Sequence, residues 1–194
     1  MLQRVMVFID GINFRKAWQT ECSKKKVATR TKFNAVVLRR LLASLRPDWE
    51  LVGTRYHSSM IPPKDSKHYK KVRGIDPNGF HGFLSRNGYS CKIRKSRVRH
   101  QTCPICRNRF QVVKEKGVDV AIALDITTNA LADVFDTALL VSGDADFIPV
   151  ADLLTKNGKE MDVAQFSNAI SWNLRRSVRR VYELDQYFDK LVTK

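Results

Sequence analysis

Apolar positions fall along this chain in two alternating rhythms. Short unbroken runs, Val5-Met6-Val7-Phe8-Ile9 and Thr137-Ala138-Leu139-Leu140-Val141, have the composition of strands buried on both faces. Between them, apolar residues recur at helical spacing, as Val36, Val37, Leu41 and Leu45 do in 33–45, a segment closed by Pro47. The pattern predicts strands at 4–9, 50–58, 89–98, 136–141, 161–165 and 181–184, with 89–98 half-exposed or at an edge. It predicts helices at 33–45, 118–132, 147–157 and 169–178, and a short tail helix. Residues 62–87 read as basic and partly helical, interrupted by Pro77-Asn78-Gly79. Strands alternating with helices predict an α/β fold, a parallel sheet covered by helices on both faces. Neither a repeat nor a low-complexity linker divides the chain, so 1–194 reads as one domain. The alternation breaks at about 97–116, around Cys103-Pro104-Ile105-Cys106, which reads as an inserted basic loop or hairpin.

Both apolar runs end in carboxylates. Asp10-Gly11-Ile12-Asn13 follows the first, and Ser142-Gly143-Asp144-Ala145-Asp146-Phe147 follows the second. Open α/β sheets bind their ligands at the carboxyl ends of strands. Carboxylates delivered there together repel one another unless a cation lies between them. A third acidic element, Lys116-Gly117-Val118-Asp119-Val120-Ala121, opens the helix at 118–132. A first-turn aspartate such as Asp119 also suits the helix dipole without any catalytic role. Asp125 lies six residues on, about 240° round the helix, and so points away from Asp119 and ranks below it.

Net charge narrows the choice of partner. The 194 residues carry 35 Lys+Arg against 19 Asp+Glu, a net +16, which favours a polyanion. Nucleic acid is the first expectation and an anionic membrane surface the second. No run of about 18 apolar residues marks a membrane span, and Met1-Leu2-Gln3-Arg4 does not begin a signal peptide, so the expected setting is the cytoplasm. Basic clusters interleaved with Tyr69, Phe80, Phe83, Tyr89 and Phe110 suit single-stranded RNA, since every base offers a face to stack on. The candidate RNA contacts are Lys70, Lys71, Arg73, Arg94, Lys95, Arg97, Arg99 and Lys116. A solvated basic face explains any single cluster equally well. His57, His68, His81 and His100 stand in basic segments and read as surface or RNA-contact residues rather than catalysts.

Cys103 and Cys106 supply half of a zinc site, and no second Cys-x-x-Cys exists. Cys91 and His100 are the nearest candidates to complete it. A second chain could do so instead at a homodimer contact, and a plain reduced hairpin is the alternative to zinc.

Phe8-Ile9-Asp10-Gly11-Ile12-Asn13, Lys116-Gly117-Val118-Asp119-Val120-Ala121 and Ser142-Gly143-Asp144-Ala145-Asp146-Phe147-Ile148-Pro149 resemble, in order, the three motifs of NYN domains of the LabA-like group. These domains are relatives of the PIN-like nucleases, and the resemblance extends from Val5 to about Leu184. It implies a Rossmann-like sheet of five or six mostly parallel strands and metal-dependent cleavage of RNA at its carboxyl edge. Matched position by position, Asp10, Asp119, Asp144 and Asp146 correspond to the family's acidic site and Asn13 to its polar companion. The resemblance extends to the Cys-x-x-Cys insertion.

Hard oxygen donors of this kind select Mg²⁺ or Mn²⁺. Asp10 and Asp144 are expected as direct ligands, Asp119 as a third, and Asp146 directly or through water; Asn13 and Ser142 would orient water or phosphate. Aspartates after buried strands also cap helices, as Asp146 before Phe147 would, but four at matched positions make a site the better account. The expected function is a metal-dependent ribonuclease. A catalytically silent nucleic-acid-binding module is the alternative. A phosphatase for small esters would not need so large a positive charge.

Overall fold

The run at residues 5–9 becomes the middle of a sheet because both of its faces are apolar. In the computed structural model, which describes residues 2–28, 31–60, 79–114 and 116–193, β1 (Gln3–Asp10) pairs in parallel with β2 (Trp49–Met60) on one side. On its other side it pairs in parallel with β6 (Thr137–Val141). The sheet continues outward to β3 (Ser90–Lys95) beyond β2, and to β7 (Glu160–Gln165) and β8 (Arg180–Glu183) beyond β6. The order is β3-β2-β1-β6-β7-β8, and every neighbouring pair is parallel. The chain steps one way from β1 to β3, then returns to β6 and steps the other way. That reversal opens a crevice at the carboxyl ends of β1 and β6, where the flanking connections diverge.

Alternation along β1 assigns its two faces. Val5, Val7 and Ile9 belong to a core with Phe14 and Trp18 of α1 (Gly11–Lys24), Leu38 and Leu42 of α2 (Ala35–Ala43), Leu84 of α3 (Phe80–Arg86) and Phe188 of α7 (Phe188–Leu191). Met6 and Phe8 belong to a second core with Ile122 and Ile126 of α4 (Val118–Leu131), Leu154 of α5 (Ile148–Lys156) and Leu174 of α6 (Trp172–Ser177). The sheet is therefore six-stranded and wholly parallel, with helices on both faces, as the alternating pattern predicts. Among the described residues no helix is long and apolar enough to cross a membrane.

Three elements differ from the pattern. Helix α1 is absent from the predicted set, although Phe14, Ala17, Trp18 and Cys22 are buried at helical spacing; charged and polar residues between them, including the buried Glu21, dilute the signal. The helix expected from 169 begins only at Trp172, because Ser167–Ala169 forms a 3₁₀ turn and Ile170 is extended. The strand expected over 89–98 ends at Lys95. Beyond Ser96 the chain enters β4 (Arg97–Thr102) and β5 (Arg109–Lys114), an antiparallel pair forming a separate two-stranded sheet, so the inserted segment is a hairpin.

One buried acid lies away from the crevice. Among the described residues no group hydrogen-bonds to Oδ1 of Asp162 on β7, and the Tyr182 hydroxyl, at 3.4 Å, donates to Oδ2. Burial pushes its carboxyl up to about 6, against the opposing pull of Arg180 and that hydroxyl. An acid titrating higher in the folded than in the unfolded chain loses stability as pH rises between the two values. Asp162→Asn should therefore match the parent in thermal midpoint near pH 4, gain on it up to about pH 6 and keep that gain above. Parallel melting curves at pH 4, 6 and 8 measure this, and a constant difference across them would refute it.

Candidate functional site

Asp10 ends β1 and caps α1. Its Oδ1 accepts the backbone N–H groups of Ile12 and Asn13, both at 3.0 Å, so the turn that starts the helix also fixes the carboxylate. The residue is only 3% exposed. Its other oxygen has the Ser142 hydroxyl at 3.5 Å, across the reversal from β1 to β6. Ser142 is fully buried and also accepts the Asp144 backbone N–H at 3.4 Å. Asp144 caps the following 3₁₀ turn, its Oδ1 accepting from the Asp146 N–H at 3.0 Å.

Asn13 joins three elements at this edge. Its side-chain oxygen accepts from the Gly143 N–H at 3.2 Å and from the Gln165 amide at 3.0 Å. Gln165, the buried last residue of β7, in turn accepts the Phe166 N–H at 3.0 Å. Gly143 must be glycine, because a Cβ there would lie 1.6 Å from the Ala169 carbonyl oxygen. The Gly143 carbonyl also accepts from the Ser171 N–H at 2.9 Å, which holds the loop after β7 against the loop after β6.

Asp119 comes from the first turn of α4. Gly117, at φ +75°, supplies the left-handed residue that opens this helix. Asp10, Asp119 and Asp144 line one cleft of about 140 Å³ together with Asn13, Lys16 and Lys116. Burial pushes the Asp10 carboxyl up, and the charges of Asp119 and Asp144 add to that against the two helix-start N–H groups. Among the described residues no three His, Cys, Asp or Glu side chains meet closely enough to form a ready-made metal site. The donor set nonetheless suits a hydrated hard cation, since Mg²⁺ is commonly held by one or two carboxylates plus water and substrate phosphate. Asp146 is exposed and does not line the cleft.

One histidine sits otherwise than the sequence suggested. His57 is not a surface residue: it is 2% exposed and lies beside Asp10 in the parallel register of β1 and β2. Its Nε2 is 2.9 Å from Asp125, which also accepts from the Asn129 amide at 3.0 Å. Burial alone would raise the Asp125 carboxyl, but His57 and then Arg55 and Lys92 outweigh it and hold it below the usual range. Asp125 therefore points away from the cleft, as its helical offset from Asp119 requires, and ties α4 to β2. Lys16 was not foreseen, because it lies one turn beyond Asn13 on the unpredicted α1. Gln165 was not foreseen either; its place at the end of a predicted strand was the available signal.

Of the basic candidates, Lys116 lines the cleft, and the Arg94 guanidinium packs against the Gly117 turn. Lys95 and Arg99 are exposed on β3 and β4. Lys70, Lys71, Arg73, His68 and the side chain of Arg97 lie outside what the structure describes. Across Gly11 from the cleft is a second hollow of about 310 Å³, lined by Tyr56, Phe80 and His81 with Arg15 and Lys32. Burial pushes the His81 imidazole down, toward its neutral form. Cys91 belongs to β3, where its thiol donates to the His81 carbonyl at 3.6 Å, and among the described residues neither it nor His100 forms a metal group with Cys103 and Cys106.

Comparison with known proteins agrees with this architecture. The sequence profile of the NYN domain family matches residues 4–185. Low amplitude and bright protein LabA of Synechococcus elongatus is 23% identical over 140 residues, covering 72% of this chain. The match covers 66% of that relative, so the chain spans about two thirds of its length. A crystal structure of a protein of unknown function from Vibrio parahaemolyticus superposes with a TM-score of 0.60 at 18% identity, covering 99% of this chain and 97% of the other.

Gly143→Ala is expected to cost about 1–3 kcal/mol, the usual range for overpacking, because the Ala169 carbonyl must move out of its contact. Urea unfolding measures the loss, and an unchanged midpoint would show that the loop yields freely. His57→Ala should cost on the order of 2 kcal/mol by leaving the Asp125 carboxylate without its main donor. An unchanged unfolding curve would remove His57 as the tie between α4 and the sheet.

Proposed function

The chain belongs to the NYN domain family, and on that premise we propose that it is a metal-dependent ribonuclease acting on single-stranded RNA at the Asp10–Asp119–Asp144 cleft. The observation that carries the reading is a buried carboxylate at the reversal of the sheet, faced by two more carboxylates and flanked by Lys16 and Lys116, in a chain of net charge +16. Asp10 and Asp144 would hold Mg²⁺ or Mn²⁺, with Asp119 as a third ligand and Asp146 acting through water. When bound, such an ion supplies a more acidic water and neutralises charge on the phosphate. The protein's own groups do the rest. Lys16 and Lys116 receive the phosphate, and Asn13, whose oxygen is used by Gly143 and Gln165, can offer its amide nitrogen to a phosphate oxygen. Ser142 holds the second oxygen of Asp10 and the backbone of Asp144 in register.

The hollow beside the cleft suits a nucleobase. Phe80 is exposed and packs edge-on to Tyr56 with ring centroids 6.0 Å apart, while Arg15 and Lys32 lie where a neighbouring phosphate would pass. The Arg94 side chain at Gly117, with Lys95 and Arg99 exposed on the neighbouring strands, extends the basic path past the cleft; Lys70, Lys71, Arg73 and Arg97 are proposed as RNA contacts from the sequence alone. A cytoplasmic setting is part of this reading. A second reading, a catalytically silent RNA-binding module, is favoured by one observation: the described acidic side chains line the cleft without meeting as a metal-binding group.

Labelled single-stranded RNA incubated with Mn²⁺, with Mg²⁺ and with EDTA separates the two. Cleavage is expected with either ion, and Asp10→Asn and Asp144→Asn should reduce it to background while remaining folded. Folded variants that cleave like the parent would show the site to be wrongly placed. A parent that binds RNA equally well in EDTA and never cleaves it would establish the silent module. Phe80→Ala should weaken RNA binding by about 5- to 150-fold, the worth of one base stacked on an aromatic ring, with little change in turnover at saturation. Unaltered binding would exclude the hollow from the RNA path.

A further inference from the structure

The tip of the β4–β5 hairpin is folded as a sulfur-presenting turn that the cleft chemistry does not use. The Cys103 N–H donates to the Asn108 carbonyl at 2.9 Å and the Arg107 N–H to the Cys103 carbonyl at 2.9 Å, closing a tight loop over Cys103-Pro104-Ile105-Cys106. Arg107 completes the loop at φ +57°, a left-handed conformation unfavourable for a residue with a side chain and one that persists where the surroundings impose it. Inside the loop the N–H groups of Cys106 and Ile105 donate to the Cys103 sulfur, and the Cys106 thiol is hydrogen-bonded to it as well. The two sulfurs are therefore neighbours, neither is in a disulfide, and Cys106 is exposed. Two sulfurs presented side by side from one tight turn are the arrangement from which a zinc ion takes two of its four ligands.

The chain's other two cysteines are engaged elsewhere. Cys22 is buried in the α1 core, and Cys91 is held at the His81 carbonyl. Among the described residues no third His, Cys, Asp or Glu joins the pair, whereas a structural zinc site closes with four ligands. The hairpin stands apart from the six-stranded sheet, and its tip carries Ile105 at 92% exposure, an apolar side chain that a second tip would cover. Charge points the same way. Arg99, Arg107 and Arg109 are exposed around the tip, so two tips alone would repel; four thiolates around one Zn²⁺ leave a doubly negative centre that such arginines surround favourably.

We propose that two copies of this chain join at their hairpin tips through one zinc ion held by Cys103 and Cys106 of each. Binding converts thiols to thiolates and releases their protons to solvent, with no change in oxidation state. The inference is independent of the nuclease reading.

The test is made on the full chain, reduced and then titrated with zinc alone, by metal analysis and by light scattering on a sizing column. Half a zinc per chain, a doubled mass on zinc addition, and a zinc-free, folded monomer for the Cys103→Ser/Cys106→Ser variant are expected. Cobalt in place of zinc should give the spectrum of a tetrahedral four-thiolate site. One zinc per monomeric chain would overturn the proposal, since the remaining ligands would then come from the same chain. A dimer unaffected by the double substitution would overturn it too, as would a metal-free protein with Cys103 and Cys106 oxidised to a disulfide.

Discussion

The arrangement depends on keeping one carboxylate, Asp10, charged and fixed at the end of an otherwise apolar strand. Burial opposes its charge, and Asp119 and Asp144 oppose it further. What stabilises it is the start of α1, whose Ile12 and Asn13 N–H groups would be without partners if Asp10 turned away. The helix needs the carboxylate and the carboxylate needs the helix, so the last residue of β1 is set by local geometry before any ligand arrives. Parallel pairing then carries that position sideways. The register of β1 with β6 runs to Ile9 and Val141, so the next residues, Asp10 at the end of β1 and Ser142 just past β6, come level with one another.

A polar layer turns this alignment into a shape. Asn13 binds Gly143 and Gln165 at once, so the ends of β1, β6 and β7 are joined through one side-chain oxygen. On the other flank Asp125 joins α4 to His57 and Arg55 on β2, which fixes the height at which Gly117, Val118 and Asp119 enter the cleft. Asn13 itself lines the cleft, whereas Gln165, Asp125 and His57 do not. Both ties hold backbone that shapes the cleft, which is why residues outside the three acidic motifs matter to the site's form.

Much of this was legible from residue order. Short apolar runs of five, Val5 to Ile9 and Thr137 to Val141, bounded by turn residues and rich in β-branched and large apolar side chains, have the composition of interior strands. Carboxylates that follow two such runs lie at the same edge if the strands are parallel. What could not be read was lateral position. His57 is 47 residues from Asp10 along the chain yet beside it in the sheet, a relation fixed by strand order rather than by any local pattern. The same ignorance of neighbours made His57 look like a surface residue. Helix α1 escaped because its buried stripe is diluted by polar and charged residues, and with it went Lys16. The approach of the aspartates to one another depends on backbone turns after three separate strands and helices, which periodicity does not constrain. Asp146 illustrates this, since a single 3₁₀ turn leaves it exposed while Asp144 faces the cleft.

The chain's charge and the cleft's charge have opposite signs, and the contrast bears on what the cleft is for. A net +16 attracts a nucleic acid from a distance, but within a screening length of about 8–10 Å the local groups decide. There a phosphate meets three carboxylates as well as two lysines. Without a cation, a polyanion drawn to the basic surface would be repelled from the place where strand ends, capped helices and a fixed asparagine have been brought together. A module built only to bind would have no use for that repulsion. If a divalent ion occupies the cleft the sign reverses, and ion and RNA then favour each other's binding by the same factor, as linkage requires. The clustering of carboxylates on a strongly basic protein is thus an arrangement whose electrostatics make sense with a metal ion and a phosphate bound together.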